Sequence, residues 1–486
     1  MSWPNPLIQP CCTCLSWSFA ITGDARPSES PSGRTGIEEI QQTRQPEGAL
    51  IRQLGLGDSI SIIMGIMIGS GIFLMAGSIA RQLHSIAMVI AVWTLGGLMS
   101  LAGALSISEL GAAFPSAGGL YVYLEEAYGS AVGFLYGWSA IVLIYSNSVA
   151  AMAAAIGFYA APLLGLGAGW QKGLQVLCIV FFTAVNSLGV STGKRVQNTL
   201  TALKIGGLAA MMVVLYVKGS AAHFGRNFFG PAHAGFSLTA IGVALVAVLW
   251  AYDGWHIVSF TAGEIRNPAR TLPRALLLGV VLTTIIYLLA NVAYYAVLSP
   301  GAIRGTDRVA ALAVQHALGA KGGLLISILI IVSILGAING VMMGAPRVNL
   351  AMARDGLFFR PFARVSRKSH APVLATVAQG AFAMLFTTLG SFRELFTSYV
   401  FTSWIFYGLC VAAVILLRYR RPALERPYRC PLYPITPAFF LLAACGVVVT
   451  NFVVNFRQAL LGVGLILLGL PLYFLFRYME RNRRPA

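Results

Sequence analysis

Charged side chains are scarce in this sequence. Asp, Glu, Lys and Arg make up 10% of its 486 residues, against about 25% in an ordinary soluble protein. Together with 57% hydrophobic residues and a mean hydropathy of +0.76, this excludes a chain whose main solvent is water. Acidic groups are scarcest, 16 against 34 Lys and Arg, for a formal charge of +18. Such an excess on one face would suit nucleic acid, but the basic residues lie in short loops between apolar runs, where they act as topology signals. No nucleic-acid partner is expected. Histidine is limited to six residues, and neither His-Glu-x-x-His nor a phosphate-binding loop occurs. The seven cysteines are Cys11, Cys12, Cys14, Cys178, Cys410, Cys430 and Cys445. Four lie in or beside apolar runs, and the other three crowd into Cys-Cys-Thr-Cys with no nearby His to complete a four-ligand zinc site. No disulfide framework, metal or cofactor is expected.

What is present is apolar sequence in long runs. Residues 1–50 are rich in Pro, Ser, Gly, Thr and Arg, without the pattern of a cleaved leader, and read as a disordered cytoplasmic tail. Twelve apolar segments follow, at 58–82, 86–112, 130–160, 173–191, 197–217, 239–263, 275–298, 322–350, 372–389, 395–417, 434–455 and 458–476. The fold class is therefore an all-α membrane protein of twelve transmembrane helices in the lipid bilayer. Residues 51–430 form a core of ten segments, and 431–486 add two helices and a basic tail. Sorting Lys and Arg by loop puts about 24 on the side of the termini and about 9 on the other, which makes both termini cytoplasmic and the location the plasma membrane, or the inner membrane of a bacterium.

Two segments are interrupted. Gly69-Ser70-Gly71 sits near the middle of segment 1 and Tyr252-Asp253-Gly254 near the middle of segment 6. A segment of roughly 20 apolar residues needs no glycine to span a bilayer, and each Gly costs about 1 kcal/mol against Ala in a helix interior. Backbone groups freed at a break cannot face lipid, so they line a protein cavity. The spacing of five segments gives the two breaks opposite directions, as in inverted repeats of segments 1–5 and 6–10. The N-H groups from Ser70 through Gly71 to Ile72 would then suit a carboxylate. The carbonyls of Met67 and Ile68, with those near Trp250 and Ala251, would suit an ammonium group. Together they describe a pocket for a zwitterion.

Ionisable residues inside the spans are few, and each is a candidate for function. Lys204 lies in segment 5, where its ammonium either replaces a bound sodium ion, loses its proton during a working cycle, or snorkels to the surface. Asp253 either meets a cationic substrate group or caps the half-helix that follows it. Trp250 reads as a gate over the pocket or as packing. His256 reads as a satisfied packing group, with a polar lining or proton carrier as the alternative. Gly137-Trp138-Ser139-Ala140 resembles an intramembrane serine protease, but a serine nucleophile needs a base within reach, and no enzyme is expected.

The order and spacing of several short motifs resemble the amino acid-polyamine-organocation superfamily of transporters. They are Gly65-Ile66-Met67-Ile68-Gly69-Ser70-Gly71-Ile72-Phe73, Glu109-Leu110, and Pro115-Ser116-Ala117-Gly118-Gly119-Leu120-Tyr121-Val122-Tyr123. Further on come Trp250-Ala251-Tyr252-Asp253-Gly254-Trp255, Glu264 through Asn267-Pro268 to Pro273-Arg274, and Arg347 with Ala353-Arg354-Asp355-Gly356. Segment 6 is similar to that of the L-type exchangers, above all the light chain of the cystine and dibasic amino acid exchanger. The resemblance implies a LeuT-like fold of five plus five inverted helices with broken helices 1 and 6. It also implies a substrate carboxylate at Ser70, Gly71 and Ile72 and an amine at the carbonyls of Met67, Ile68, Trp250 and Asp253. Trp250 is then a gate, Lys204 stands where sodium sits in sodium-coupled relatives, and Asp253 favours cationic side chains.

The function implied is sodium-independent transport of L-amino acids by alternating access, as an exchanger or a proton-coupled permease. The alternatives are a proton-coupled polyamine or amine transporter, or a non-transporting amino acid sensor or channel on the same fold. Two departures stand out. Residues 158–172 lack the cysteine through which eukaryotic light chains bond a heavy chain, so no covalent heavy chain is expected. His256 stands where those exchangers usually have Asn. Removal of residues 1–45 is expected to spare transport, measured as uptake by the truncated protein in vesicles.

Overall fold

A computed structural model describes residues 50–83, 85–220, 224–225, 228, 237–389 and 392–482. The tail over residues 1–49, with Cys11, Cys12 and Cys14, lies outside the described residues, so the expectation of disorder there is untouched. A helix is found at each of the twelve expected segments. Nine helices among the described residues are long and apolar enough to cross a membrane, and the bent pair that forms segment 1 makes ten. The other two are Trp170–Ser187 and Val373–Leu389, which are shorter or less apolar. Because both faces of many helices meet other helices or lipid, most segments show no one-sided apolar stripe, as expected for spans buried all round.

The segment 1 helix Leu56–Met67 stops where Ile68 leaves helical geometry at ψ 68°. A second helix, Gly71–Gln82, starts three residues later at a bend of 42°. Segment 6 runs as Leu238–Ala251, turns at Tyr252-Asp253-Gly254, and continues as a tighter 3-10 helix, Trp255–Glu264. Gly254 takes φ +104° there, a conformation that only glycine adopts without strain. Segment 3 holds an irregularity that the apolar pattern of 130–160 does not reveal: a π-helical turn at Ala140–Ile144 between Ser130–Ser139 and Tyr145–Leu163. Such bulges tend to sit at functional places.

The two ends of the bundle differ. At one end Leu54 pairs with Ile265, and the N-H groups of Gln53 and Leu54 donate to Glu264 O at 2.8 and 2.9 Å. The Glu264 carboxylate accepts from Arg347 Nε at 3.2 Å and Nη2 at 3.0 Å, and both side chains are buried. A fork-to-fork pair of this kind ties segment 6 to the end of segment 8. Toward the other end lies a cavity of about 920 Å³ lined by Leu74, Ser78, Ala150, Gln175, Ala247 and Asn451 among others. Leu74 is three residues past Gly71 and Ala247 four before Ala251, so the cavity comes within about one helical turn of both breaks.

Candidate functional site

The two breaks touch. A Cβ placed on Gly71 would lie 2.5 Å from Ala251 Cα, and one on Gly254 would collide with the Ile66 side chain. Segments 1 and 6 are therefore in backbone contact at their interruptions, which is why both carry glycine there. Tyr287 of segment 7 adds a second link, since its hydroxyl reaches both Met67 O and, at 2.8 Å, Ala251 O. One phenolic proton thus serves a carbonyl on each break. Trp93 and Tyr252 hold the Tyr287 ring, with centroids 5.3 and 5.0 Å away.

At the start of the second half of segment 1, the N-H groups of Ser70, Gly71 and Ile72 donate to no protein acceptor among the described residues. Those donors and the positive end of the half-helix dipole would suit an anion. The carbonyls differ from expectation. Ile68 O accepts from Lys204 Nζ at 2.9 Å and from Ser333 Oγ at 2.7 Å. Met67 O accepts from Gly69 N at 2.7 Å as well as from Tyr287. A carbonyl oxygen has two lone pairs, so both are filled from within the protein and are not the open acceptors that the sequence suggests. Trp250 O accepts from Asp253 N at 3.2 Å, and Ala251 O accepts from Tyr287.

Lys204 does not snorkel. It is residue 15 of 29 in the helix Val190–Lys218 and is fully buried. Its ammonium donates to Gly65 O at 2.7 Å, Ile68 O at 2.9 Å and Ser333 O at 2.7 Å. Three donors meet three carbonyls, two on segment 1 and one on segment 8. Gly336 leaves room for it, because a Cβ there would lie 2.8 Å from Nζ. The neighbours Gln197 and Thr201 reach Ser61 O at 3.4 and 3.1 Å, so one face of segment 5 is laced to segment 1.

Asp253 caps its own turn, with Oδ1 accepting Gly254 N at 2.8 Å, and also accepts from Tyr407 Oη at 3.1 Å. Its Oδ2 is buried without a partner. His256 is buried beside it. Nε2 lies 2.9 Å from Tyr145 Oη and 3.2 Å from Tyr407 Oη, and Tyr145 Oη lies 2.9 Å from Tyr136 Oη. Nδ1 is 3.7 Å from Asp253 Oδ1 and has no hydrogen bond. The satisfied packing role expected of His256 holds for one ring nitrogen and fails for the other. Trp250 packs edge-on against Tyr399, with centroids 5.1 Å apart.

Ser139, the one candidate nucleophile, donates its hydroxyl to Leu135 O at 2.7 Å, a bond within its own helix turn. Among the described residues no group of three or more His, Cys, Asp or Glu could hold a metal. Sequence reasoning missed Tyr145, Tyr287, Ser333 and Tyr407, which look like ordinary packing residues in apolar runs. The nearest signal was the density of tyrosine, 18 residues in all. A phenol in a membrane needs somewhere to put its hydroxyl.

A family model described as amino acid permease matches residues 54–476. The serine/threonine exchanger SteT of Bacillus subtilis is 33% identical over 431 residues, covering 88% of this chain and 97% of its own. The human b(0,+)-type amino acid transporter 1 is 32% identical over 459 residues, 91% of this chain and 93% of its own. The human cystine/glutamate transporter is 29% identical over 469 residues, 94% of this chain and 90% of its own. These are transporters and not enzymes. Two broken helices in contact, a buried lysine tying one to the bundle, and a match over nearly the whole helical region lead to one conclusion: this multi-pass membrane protein belongs to the amino acid permease family, within the amino acid-polyamine-organocation superfamily.

Proposed function

We propose that this protein moves L-amino acids across the plasma membrane by alternating access, without sodium, through a site between the breaks of segments 1 and 6. Segments 1–5 and 6–10 act as inverted repeats, with segments 11 and 12 outside them. The free N-H groups of Ser70, Gly71 and Ile72 take the substrate carboxylate. With Met67 and Ile68 filled, the amine is read by the segment 6 carbonyls around Trp250, Ala251 and Asp253, with Gly69 beside them, and Trp250 closes over the bound molecule.

The observation that carries this reading is the Lys204 tripod. An ammonium that donates to carbonyls of segments 1 and 8 does the work of a bound sodium ion, holding the broken helix against the scaffold. Positive loops put the termini in the cytoplasm. The cavity then opens outward, and the Glu264–Arg347 pair is the closed inner side. No covalent heavy chain is part of this reading.

The test is uptake of a radiolabelled amino acid panel into sodium-free proteoliposomes, with and without internal amino acid and with and without an inward pH gradient. Uptake that requires internal amino acid means exchange, the activity that the name of the Bacillus subtilis relative describes. Uptake into empty vesicles driven by the pH gradient means proton symport. No uptake of any amino acid returns the polyamine and sensor readings to the front.

A further inference from the structure

We propose that Asp253 and His256 form a single-proton site, and that every loaded state of the transporter holds one positive charge there. That charge is a proton when the substrate side chain is neutral, and the side chain itself when it is cationic. The proposal rests on the amino acid transport reading above and adds a rule for charge.

The geometry carries it in three steps. First, Asp253 sits within the membrane with no permanent countercharge. Among the described residues His256 is the one basic side chain within 4 Å of it, and Lys204 has spent all three donors on the carbonyls of Gly65, Ile68 and Ser333. Second, each of the two groups has one polar atom left without a partner. Asp253 Oδ2 and His256 Nδ1 are both buried and unpartnered, and 3.7 Å separates Nδ1 from Oδ1. Third, the hydroxyls around them account for the remaining protons. Tyr407 donates to Asp253, Tyr136 can donate to Tyr145, and Tyr145 to His256 Nε2. His256 is then neutral, with its proton on Nδ1, 3.7 Å from Asp253 Oδ1, and the pair carries one negative charge. A buried charge of that kind is retained only with a partner.

The other titratable groups facing the pair cannot supply that charge. They are Tyr145 and Tyr136 from segment 3 and Tyr407 from segment 10, with Cys410 near the tyrosines. Tyr287 of segment 7 is committed to the two breaks. All are neutral donors. Asp253 lies two residues from Ala251, which touches Gly71, so a substrate held at the breaks can extend a cationic side chain to Oδ2. A proton and that side chain compete for the same charge, and the proton is shared by the pair as a unit. A neutral substrate therefore enters with a proton taken from the water on its own side and releases it with the substrate on the other. A cationic substrate enters with none. Exchange of lysine for leucine is then electrically silent and moves a proton opposite to lysine.

The experiment uses the full chain in proteoliposomes loaded with leucine and a pH-sensitive dye, with lysine added outside and a potential-sensitive dye in parallel. The expected result is a lumen that becomes alkaline by one proton for each lysine that enters, with no membrane potential. Leucine-for-leucine exchange should change neither signal. A lumen that becomes electrically positive without a pH change overturns the proposal, and so does leucine exchange with no lysine transport. His256→Asn and His256→Gln keep a hydrogen-bonding amide that cannot be protonated. In them the proton count per lysine should fall by about fivefold or more and a potential should appear. An unchanged count would assign the proton to Asp253 alone and overturn the pair. The unmodified protein decides the charge rule even if neither variant assembles. Absence of any amino acid exchange would overturn the transport reading itself.

Discussion

Replacement of Lys204 by alanine lowers transport by at least about a hundredfold while the protein still inserts, because a buried charge-assisted bond is worth about 1.5–3 kcal/mol and three are lost together. The carbonyls of Gly65, Ile68 and Ser333 lose a donor that no water in the bilayer replaces. A side chain that joins segments 5, 1 and 8 at a single point goes with it, leaving Gln197 and Thr201 on Ser61 O among the links from segment 5 to segment 1. Ile68 O keeps Ser333 Oγ at 2.7 Å, so the helix itself survives and the loss falls on how firmly the break of segment 1 is held in place. Lys204→Met separates charge from volume and should fail almost as badly. Lys204→Arg should fail as well, since a planar guanidinium cannot aim three donors as a compact ammonium does. The check is uptake in vesicles beside size-exclusion profiles of the purified variants. Normal transport by the methionine variant would mean that the lysine only fills space.

Gly71→Val is the second large effect. From the sequence alone, the added side chain would fill a cradle for the substrate carboxylate. The structure adds an earlier obstacle, because even a Cβ would lie 2.5 Å from Ala251 Cα and 2.6 Å from Ala251 Cβ. Two packed backbones must then separate, and overpacking of this kind costs about 1–3 kcal/mol or more. Valine is expected to abolish substrate binding and to lower the melting temperature, and alanine to do both in part. Adding Ala251→Gly to Gly71→Ala removes the 2.6 Å contact but not the 2.5 Å one, so recovery should be incomplete. Binding of labelled amino acid to purified protein, with a thermal melt of each variant, measures this. Full binding by a stable valine variant would show that the breaks are not in contact.

The interruptions were legible because Gly69-Ser70-Gly71 and Asp253-Gly254 violate helix preference in apolar runs, and a violation at matched places in two segments points to a cavity. Lys204 was legible for a similar reason, as a charge where charges are expensive. Its tripod was not, since which carbonyls it meets depends on how segments 1 and 8 approach segment 5. The expectation that Met67 and Ile68 offer open carbonyls failed for the same cause. Sequence can say that a break frees a carbonyl, but it cannot say that Tyr287, 220 residues away in the chain, arrives to use one. The π-helical turn at Ala140–Ile144 left no mark, because five apolar residues read alike in an α- or π-turn.

By itself the sequence determined the solvent, the places of the helices, the two breaks and the few charges allowed inside. Each of these is a local property, set by the composition of one stretch against the energy of burying it in lipid. The tertiary structure alone decided which freed backbone groups stay open, through the meeting of Gly71 with Ala251 and the arrival of Tyr287 and Lys204. It alone brought Tyr145 and Tyr407 to Asp253 and His256, leaving Asp253 Oδ2 and His256 Nδ1 without partners. Hydrogen bonds act over about 3 Å, and whether two distant residues come that close is fixed by packing across the bundle.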